Sequence, residues 1–184
     1  MKAFDMAKGR GFARRRWKFL ACAFGIAAGA CALAAWAGRN VSINMSASLP
    51  GHVYIRSSRP LARGEIVNWC PEDPRVIAIL RTITPYRTSE SARCRSGEMP
   101  LLKIVRAMPG DRVRANGLGR ITVNGEIVPA TAPNPFLPLP AWKFDGVIPE
   151  GRILLYGLNP DSFDSRYLGM FPASGVESVM VKVF

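Results

Sequence analysis

The sequence predicts a mainly β domain behind a single N-terminal transmembrane helix. Three observations carry this expectation: one long apolar run near the N-terminus, a succession of short β-branched and aromatic runs punctuated by turn residues, and an Asn-Gly pair between two of those runs.

Met1 to Lys18 carries Lys2, Lys8, Arg10, Arg14, Arg15, Arg16 and Lys18 against a single acid, Asp5, a net of six positive charges. Phe19 to Ala37 then runs for 19 residues without charge or proline and ends at Gly38 and Arg39. About 20 apolar residues cross a bilayer core as a helix. The many Ala and Gly make the run only moderately hydrophobic, and Ala32 to Ala37 resembles the small-residue site of a cleavable signal peptide. The run is, however, longer than the ~7–15-residue core of such peptides, and Trp36 and Arg39 suit interfacial anchoring. A retained anchor is the favoured reading. The expected organisation is a basic cytoplasmic segment over 1–18, an anchor over 19–38, and a β-rich outer domain over 39–184. Basic residues ahead of the span put the N-terminus in the cytoplasm and the domain on the far side.

In the outer domain, His52 to Ser57, Glu65 to Trp69, Leu101 to Ala107, Arg112 to Ala115, Arg120 to Val123, Glu126 to Val128, Arg152 to Tyr156 and Ser178 to Phe184 have strand length and composition. Asn124-Gly125 predicts a tight hairpin, because both central positions of that turn need positive φ. Val76 to Thr82 fits a short helix or a strand equally. Residues 129–142 hold five of the 15 prolines and predict a loop carrying Phe136, Leu137, Leu139 and Trp142, which either covers the sheet or contacts membrane or substrate.

Composition narrows the function classes. With 48% hydrophobic and 21% charged residues the chain has the material for a core. One His and four Cys, of which Cys22 and Cys31 lie in the apolar run, leave little to ligate a transition metal and no His-based triad. No metal and no cofactor is expected. The formal charge of +12 raises nucleic acid as a partner, but half of it is the topology signal of the anchor and the rest is dispersed, so nucleic acid is set aside. Cys70 and Cys94 are the only two thiols of the outer domain. An oxidising compartment favours their pairing, worth roughly 3.5 kcal/mol from loop-closure entropy, and two buried free thiols are the alternative.

Chemistry by hydroxyl and amine remains. A lysine buried among apolar groups loses the solvation of its ammonium, and its lowered pKa lets it activate a serine. Lys103 has Leu101, Leu102, Ile104 and Val105 around it in sequence. Taken alone, such a lysine also suits an exposed edge strand guarding against aggregation. Ser46-Ala47-Ser48-Leu49-Pro50-Gly51 taken alone reads as a turn shortly after an anchor.

Four segments in order resemble the conserved boxes of the signal peptidase I superfamily, most closely its conjugative-transfer, TraF-type branch. Ser46-Ala47-Ser48-Leu49-Pro50 resembles the nucleophile box, Arg63-Gly64-Glu65-Ile66-Val67 the strand that follows, Lys103-Ile104-Val105-Arg106-Ala107-Met108-Pro109-Gly110-Asp111 the lysine box, and Gly157 to Gly169 the last box. Each is weak alone; four in order are specific. The resemblance implies a signal-peptidase-like β-rich catalytic domain with Ser48 as nucleophile and Lys103 as general base. It implies that Ser46 joins the Ser48 backbone N–H in an oxyanion hole and that Ser162 orients the lysine amine. Asp164 and Arg166 would pair structurally near the site, and Met45, Leu49, Leu101 and Leu102 would line a shallow apolar substrate pocket.

The implied activity is that of a serine endopeptidase at the bacterial inner membrane, its catalytic domain in the periplasm. It would process, and in this branch can cyclise, a conjugative pilin precursor, with the conjugation machinery as a further partner. A general signal peptidase removing leader peptides and a non-catalytic subunit of a secretion or conjugation apparatus are the alternatives. Leu49 stands where the superfamily commonly has Met, with Pro50 directly after it, as in the conjugative branch. Gly157-Leu158-Asn159 departs from Gly-Asp-Asn, so that acid's role is absent.

Overall fold

A computed structural model describes residues 6–44, 46–83, 94–118, 120–129, 132, 134 and 139–184, with side chains from residue 17 onward. Two compact units are present, Met1–Val41 and Ser42–Phe184. The first is helix α1 (Met6–Asn40), within which Trp17–Asn40 has a mean hydropathy of 2.0 and none of its apolar window buried. A helix apolar on all sides and exposed along its length suits a bilayer better than water.

The second unit is built on two antiparallel sheets. The elements after α1 are β1 (Val41–Ile43), β2 (Val53–Ser57), β3 (Ile66–Trp69), α2 (Pro74–Ile83), β4 (Leu101–Ala107), β5 (Arg112–Asn116), β6 (Ile121–Val123), β7 (Glu126–Ile127), β8 (Lys143–Val147), β9 (Arg152–Tyr156), α3 (Ser165–Leu168), β10 (Phe171–Pro172) and β11 (Val176–Lys182). The larger sheet has the order β1-β2-β11-β3-β4-β9-β10 and the smaller β7-β6-β5-β8. The mainly β fold with one N-terminal apolar helix is therefore as expected from the sequence, and β4 and β9 keep their expected bounds.

Three local features have physical causes. Val76 to Thr82 is helical because Asp73 caps it, accepting from the Arg75 N–H at 2.8 Å, and Pro74 occupies the first turn, where its missing N–H costs nothing. Strand β8, with Asp145 and Gly146 in its middle, has poor intrinsic propensity, yet it pairs along the whole of β5. The last strand begins at Val176 and stops at Lys182, since Val183 and Phe184 turn their N–H groups onto the Val53 carbonyl. At the expected hairpin, Asn124 (φ 52°) and Gly125 (φ 87°) both take the left-handed conformation.

Strands β4 and β9 are buried on both faces, which explains their near-continuous apolar sequences. On β4, Val105 and Leu101 join a cluster with Val67, Trp69, Ile153, Leu155, Phe171 and Val179, while Leu102 and Ile104 join Leu49, Tyr54 and Met180. On β9, Leu154 and Tyr156 reach a third cluster that ties the two sheets together through Val113, Ile121, Val123 and Ile148. Trp142 and Phe144 stack on one another at 5.0 Å against that cluster. The described residues of 129–142 form no helix or strand; Phe136 and Leu137 lie outside the described residues, and Leu139 is half-buried.

Candidate active site

The loop from β1 to β2 carries the two candidate serines. It is short and tightly held. The Leu158 N–H donates to the Ser48 carbonyl at 2.6 Å, the Tyr54 hydroxyl donates to the Pro50 carbonyl, and the His52 N–H donates to the Phe184 carbonyl at 2.8 Å. Gly51 (φ 96°) has no room for a side chain, because a Cβ there would meet the Phe184 carbonyl oxygen and the Lys182 side chain. These anchors set the direction of Ser48, which is partly exposed.

Lys103 arrives from β4, the strand between β3 and β9. An interior position removes the edge-strand explanation for this lysine and buries it to 5% exposure. Its Nζ lies 3.3 Å from Ser48 Oγ and 2.8 Å from Ser162 Oγ. Burial lowers its pKa to about 8; the Asp164 carboxylate acts against that fall and the Arg166 guanidinium adds to it. An amine of that pKa is neutral in an appreciable fraction of molecules at neutral pH, and its lone pair faces two hydroxyls. Separation of amine and nucleophile slightly beyond 3.2 Å is usual before substrate tightens such a site.

Ser162 is set by the last segment. The Ser162 N–H donates to the Asn159 carbonyl at 3.0 Å, and Gly157 packs directly against the Ser162 side chain. A Cβ on Gly157 would come within 2.3 Å of Ser162 Oγ and 3.1 Å of the Ser48 carbonyl oxygen. Gly157 is therefore the space in which the Ser48, Lys103 and Ser162 cluster assembles.

Behind this cluster, Asp164 and Arg166 are 0% and 2% exposed and form a forked pair, Nε to Oδ1 at 3.0 Å and Nη2 to Oδ2 at 2.9 Å. Arg166 also donates to the carbonyls of Asn159 at 2.9 Å and Gly157 at 2.8 Å. Asp164 accepts from the N–H groups of Gly157 and Arg166 and caps α3. Burial pushes the Asp164 carboxyl up, against the pull of Arg166 and those two N–H groups. This pair ties the start of the last segment, at Gly157 and Asn159, to its later part and so fixes Ser162 between them.

Other expected residues are distributed as follows. The Ser48 N–H donates to Ser46 Oγ at 3.4 Å, and the Ser46 hydroxyl donates in turn to Asn44 Oδ1 at 2.9 Å, so the two expected oxyanion donors are engaged within the loop. Leu49 and Leu102 are core residues at 3% and 9% exposure, and Leu101 projects from the other face of β4 into the neighbouring cluster. Met45 lies outside the described residues. Cys70 and Cys94 form a disulfide with a Cα separation of 5.4 Å, tying the end of β3 to the segment that leads into β4. Among the described residues no cluster of His, Cys, Asp and Glu suits a metal ion.

Three contributors are given no role by the sequence reading. Asn44 gives no signal, being an isolated amide, and Gly157 reads only as the opening glycine of the last box. Ser165, fully buried, accepts the Leu155 N–H at 2.8 Å and would have been found only by asking where each backbone donor of β9 goes.

The chain is similar to several known proteins. The chain is similar to a conjugal transfer protein TraF of Agrobacterium tumefaciens, 33% identical over 68% of this chain and 70% of that protein. It is also similar to a probable conjugal transfer protein TraF of Sinorhizobium fredii, 32% identical over 78% of this chain and 76% of that one. A crystal structure of a signal peptidase I from Enterococcus faecalis matches with a TM-score of 0.40 at 18% identity, over 68% of this chain and 100% of that one. The family model described as signal peptidase, peptidase S26 matches residues 14–184, nearly the whole chain, and the protein belongs to that family of signal-peptidase-type serine peptidases.

Proposed function

We propose that this protein is a membrane-anchored serine endopeptidase that matures a conjugative pilin precursor through a Ser48/Lys103 dyad. The observation that carries the reading is the buried Lys103 amine, its pKa lowered to about 8, within reach of the Ser48 and Ser162 hydroxyls. Family membership supplies the preprotein as substrate class, and the TraF relatives supply the conjugation context. The anchor would hold the second unit at the periplasmic face of the inner membrane, with the basic segment on the cytoplasmic side.

Neutral Lys103 takes the Ser48 proton as Oγ attacks the scissile carbonyl. The resulting oxyanion is stabilised by the Ser48 N–H and the Ser46 hydroxyl, which turn to it from Ser46 Oγ and Asn44 Oδ1 as the charge develops. The Lys103 ammonium then protonates the departing amine, leaving an acyl-enzyme on Ser48. Ser162 keeps the amine aimed throughout. Water taking the acyl group yields a shortened pilin; the pilin's own N-terminal amine taking it yields a ring.

Mass spectrometry of a pilin precursor made with the active protein, with Ser48→Ala and with Lys103→Ala tests this. Processing by the active form alone is expected, and a product one water lighter than the linear processed chain marks cyclisation. Full processing by either variant would remove the dyad.

A further inference from the structure

The nucleophile loop contains a buried amide that the dyad mechanism does not use. Asn44 is 7% exposed, and each hydrogen-bonding site of its side chain is turned on the same loop. Its Nδ2 donates to the carbonyls of Leu49 at 2.8 Å and Gly51 at 3.1 Å. Its Oδ1 accepts the Ser46 N–H at 3.1 Å and the Ser46 hydroxyl at 2.9 Å. The orientation of the amide follows from its partners, since two carbonyls require the NH₂ end and a backbone N–H requires the oxygen end. The backbone joins in, with the Asn44 N–H donating to the His52 carbonyl at 2.8 Å.

This one side chain thus reaches across Ser48, gripping the residue directly after it and the residue two before it. Ser46 Oγ in turn accepts the Ser48 N–H, so Asn44, Ser46 and Ser48 form a continuous chain of hydrogen bonds. We infer that Asn44 is the positioning residue of the oxyanion hole: it holds the Ser46 hydroxyl beside the Ser48 N–H, and that hydroxyl turns its hydrogen bond from Asn44 Oδ1 to the substrate oxygen as negative charge develops there. Ser46 does not have to be recruited from solvent-facing rotamers during the reaction, and its donor is exchanged between two acceptors while Oγ stays in place. Asn44 itself touches no reacting atom.

The inference rests on the dyad reading, and its test separates the two. The kcat and KM of the full-length protein in detergent, with purified pilin precursor as substrate, are measured for the active form, Asn44→Ala, Ser46→Ala and the double variant. Ser48→Ala and Lys103→Ala run beside them. Asn44→Ala is expected to lower kcat about thirtyfold with KM changed less than threefold, since the interaction acts on the transition state. In the Ser46→Ala background the same substitution should cost at least about threefold less than in the active form, because the hydroxyl that Asn44 holds is gone and only its grip on the Leu49 and Gly51 carbonyls remains to be lost. Losses that multiply, a change confined to KM, or an unchanged kcat in Asn44→Ala would overturn the inference. Turnover surviving in Ser48→Ala or Lys103→Ala would instead overturn the dyad. If Asn44→Ala fails to fold, Asn44→Asp enters the same cycle. It keeps the acceptor facing Ser46 and loses the donors to the Leu49 and Gly51 carbonyls, and it must again show less than multiplicative loss with Ser46→Ala.

Discussion

Lys103 and Arg166 are both cations buried in the second unit, 5% and 2% exposed, and their surroundings differ in one respect. Arg166 faces the Asp164 carboxylate in a forked ion pair together with two carbonyls, so its charge is answered on every side. Among the described residues Lys103 faces two hydroxyls at hydrogen-bonding distance, and Asp164 acts on it from further away. Equal burial therefore gives opposite chemistry. The compensated guanidinium is a fixed strut, and the uncompensated amine has its proton affinity lowered into the range where it can serve as a base.

The most forceful way to break the comparison is Lys103→Met. Peptide-bond cleavage should fall by at least ~10³-fold, in line with loss of a general base from a unit that acts together. Stability at pH 7 should rise by up to about 3 kcal/mol, because burying the ammonium costs the wild type what its lowered pKa reflects. The folded protein binds this proton less tightly than the unfolded chain, so the cost is complete below pH 8 and fades as pH rises to ~10.4. The gain from Lys103→Met, read from urea unfolding, should vanish over that interval. Equal gains at pH 7 and pH 10 would mean that the amine is solvated.

Next in size is Asp164→Ala, which turns the compensated cation into an uncompensated one. Removing one partner of a buried pair costs about 3–5 kcal/mol, and urea unfolding should record a loss of that order. A loss under 1 kcal/mol would show that water reaches Arg166. The pH dependence follows: kcat/KM should climb about tenfold per pH unit below 8 and level off above it, since only the neutral amine accepts the Ser48 proton. A profile still rising at pH 10 would contradict the lowered value. The smallest effect is that of Gly157→Ala, whose added methyl must displace Ser162 Oγ from Lys103. It should lower kcat about tenfold and leave the Asp164 and Arg166 pair in place, so that the melting temperature changes far less than in Asp164→Ala.

Much of the architecture was legible in the sequence because it follows from local chemistry. Phe19 to Ala37 spells out an apolar helix, β4 and β9 announce themselves as unbroken apolar runs, and Asn124-Gly125 marks its own hairpin through the φ values it tolerates. Strand β8 was not legible, because Lys143 to Val147 becomes a strand only when β5 supplies the partner and Phe144 finds the core.

Residue types and box order named Ser48, Lys103, Ser46 and Ser162 as candidates. What the sequence could not decide was whether Lys103 sits at an edge or inside, since LLKIV reads the same either way. Its interior position comes from β3 and β9 flanking β4, a long-range pairing, and only that burial lowers its pKa. The meeting of Ser48 and Lys103, 55 residues apart, and the grip of Asn44 on its own loop likewise exist only in three dimensions. Sequence fixes which chemical groups are available; the tertiary structure sets their distances and dielectric surroundings, and reactivity depends on those.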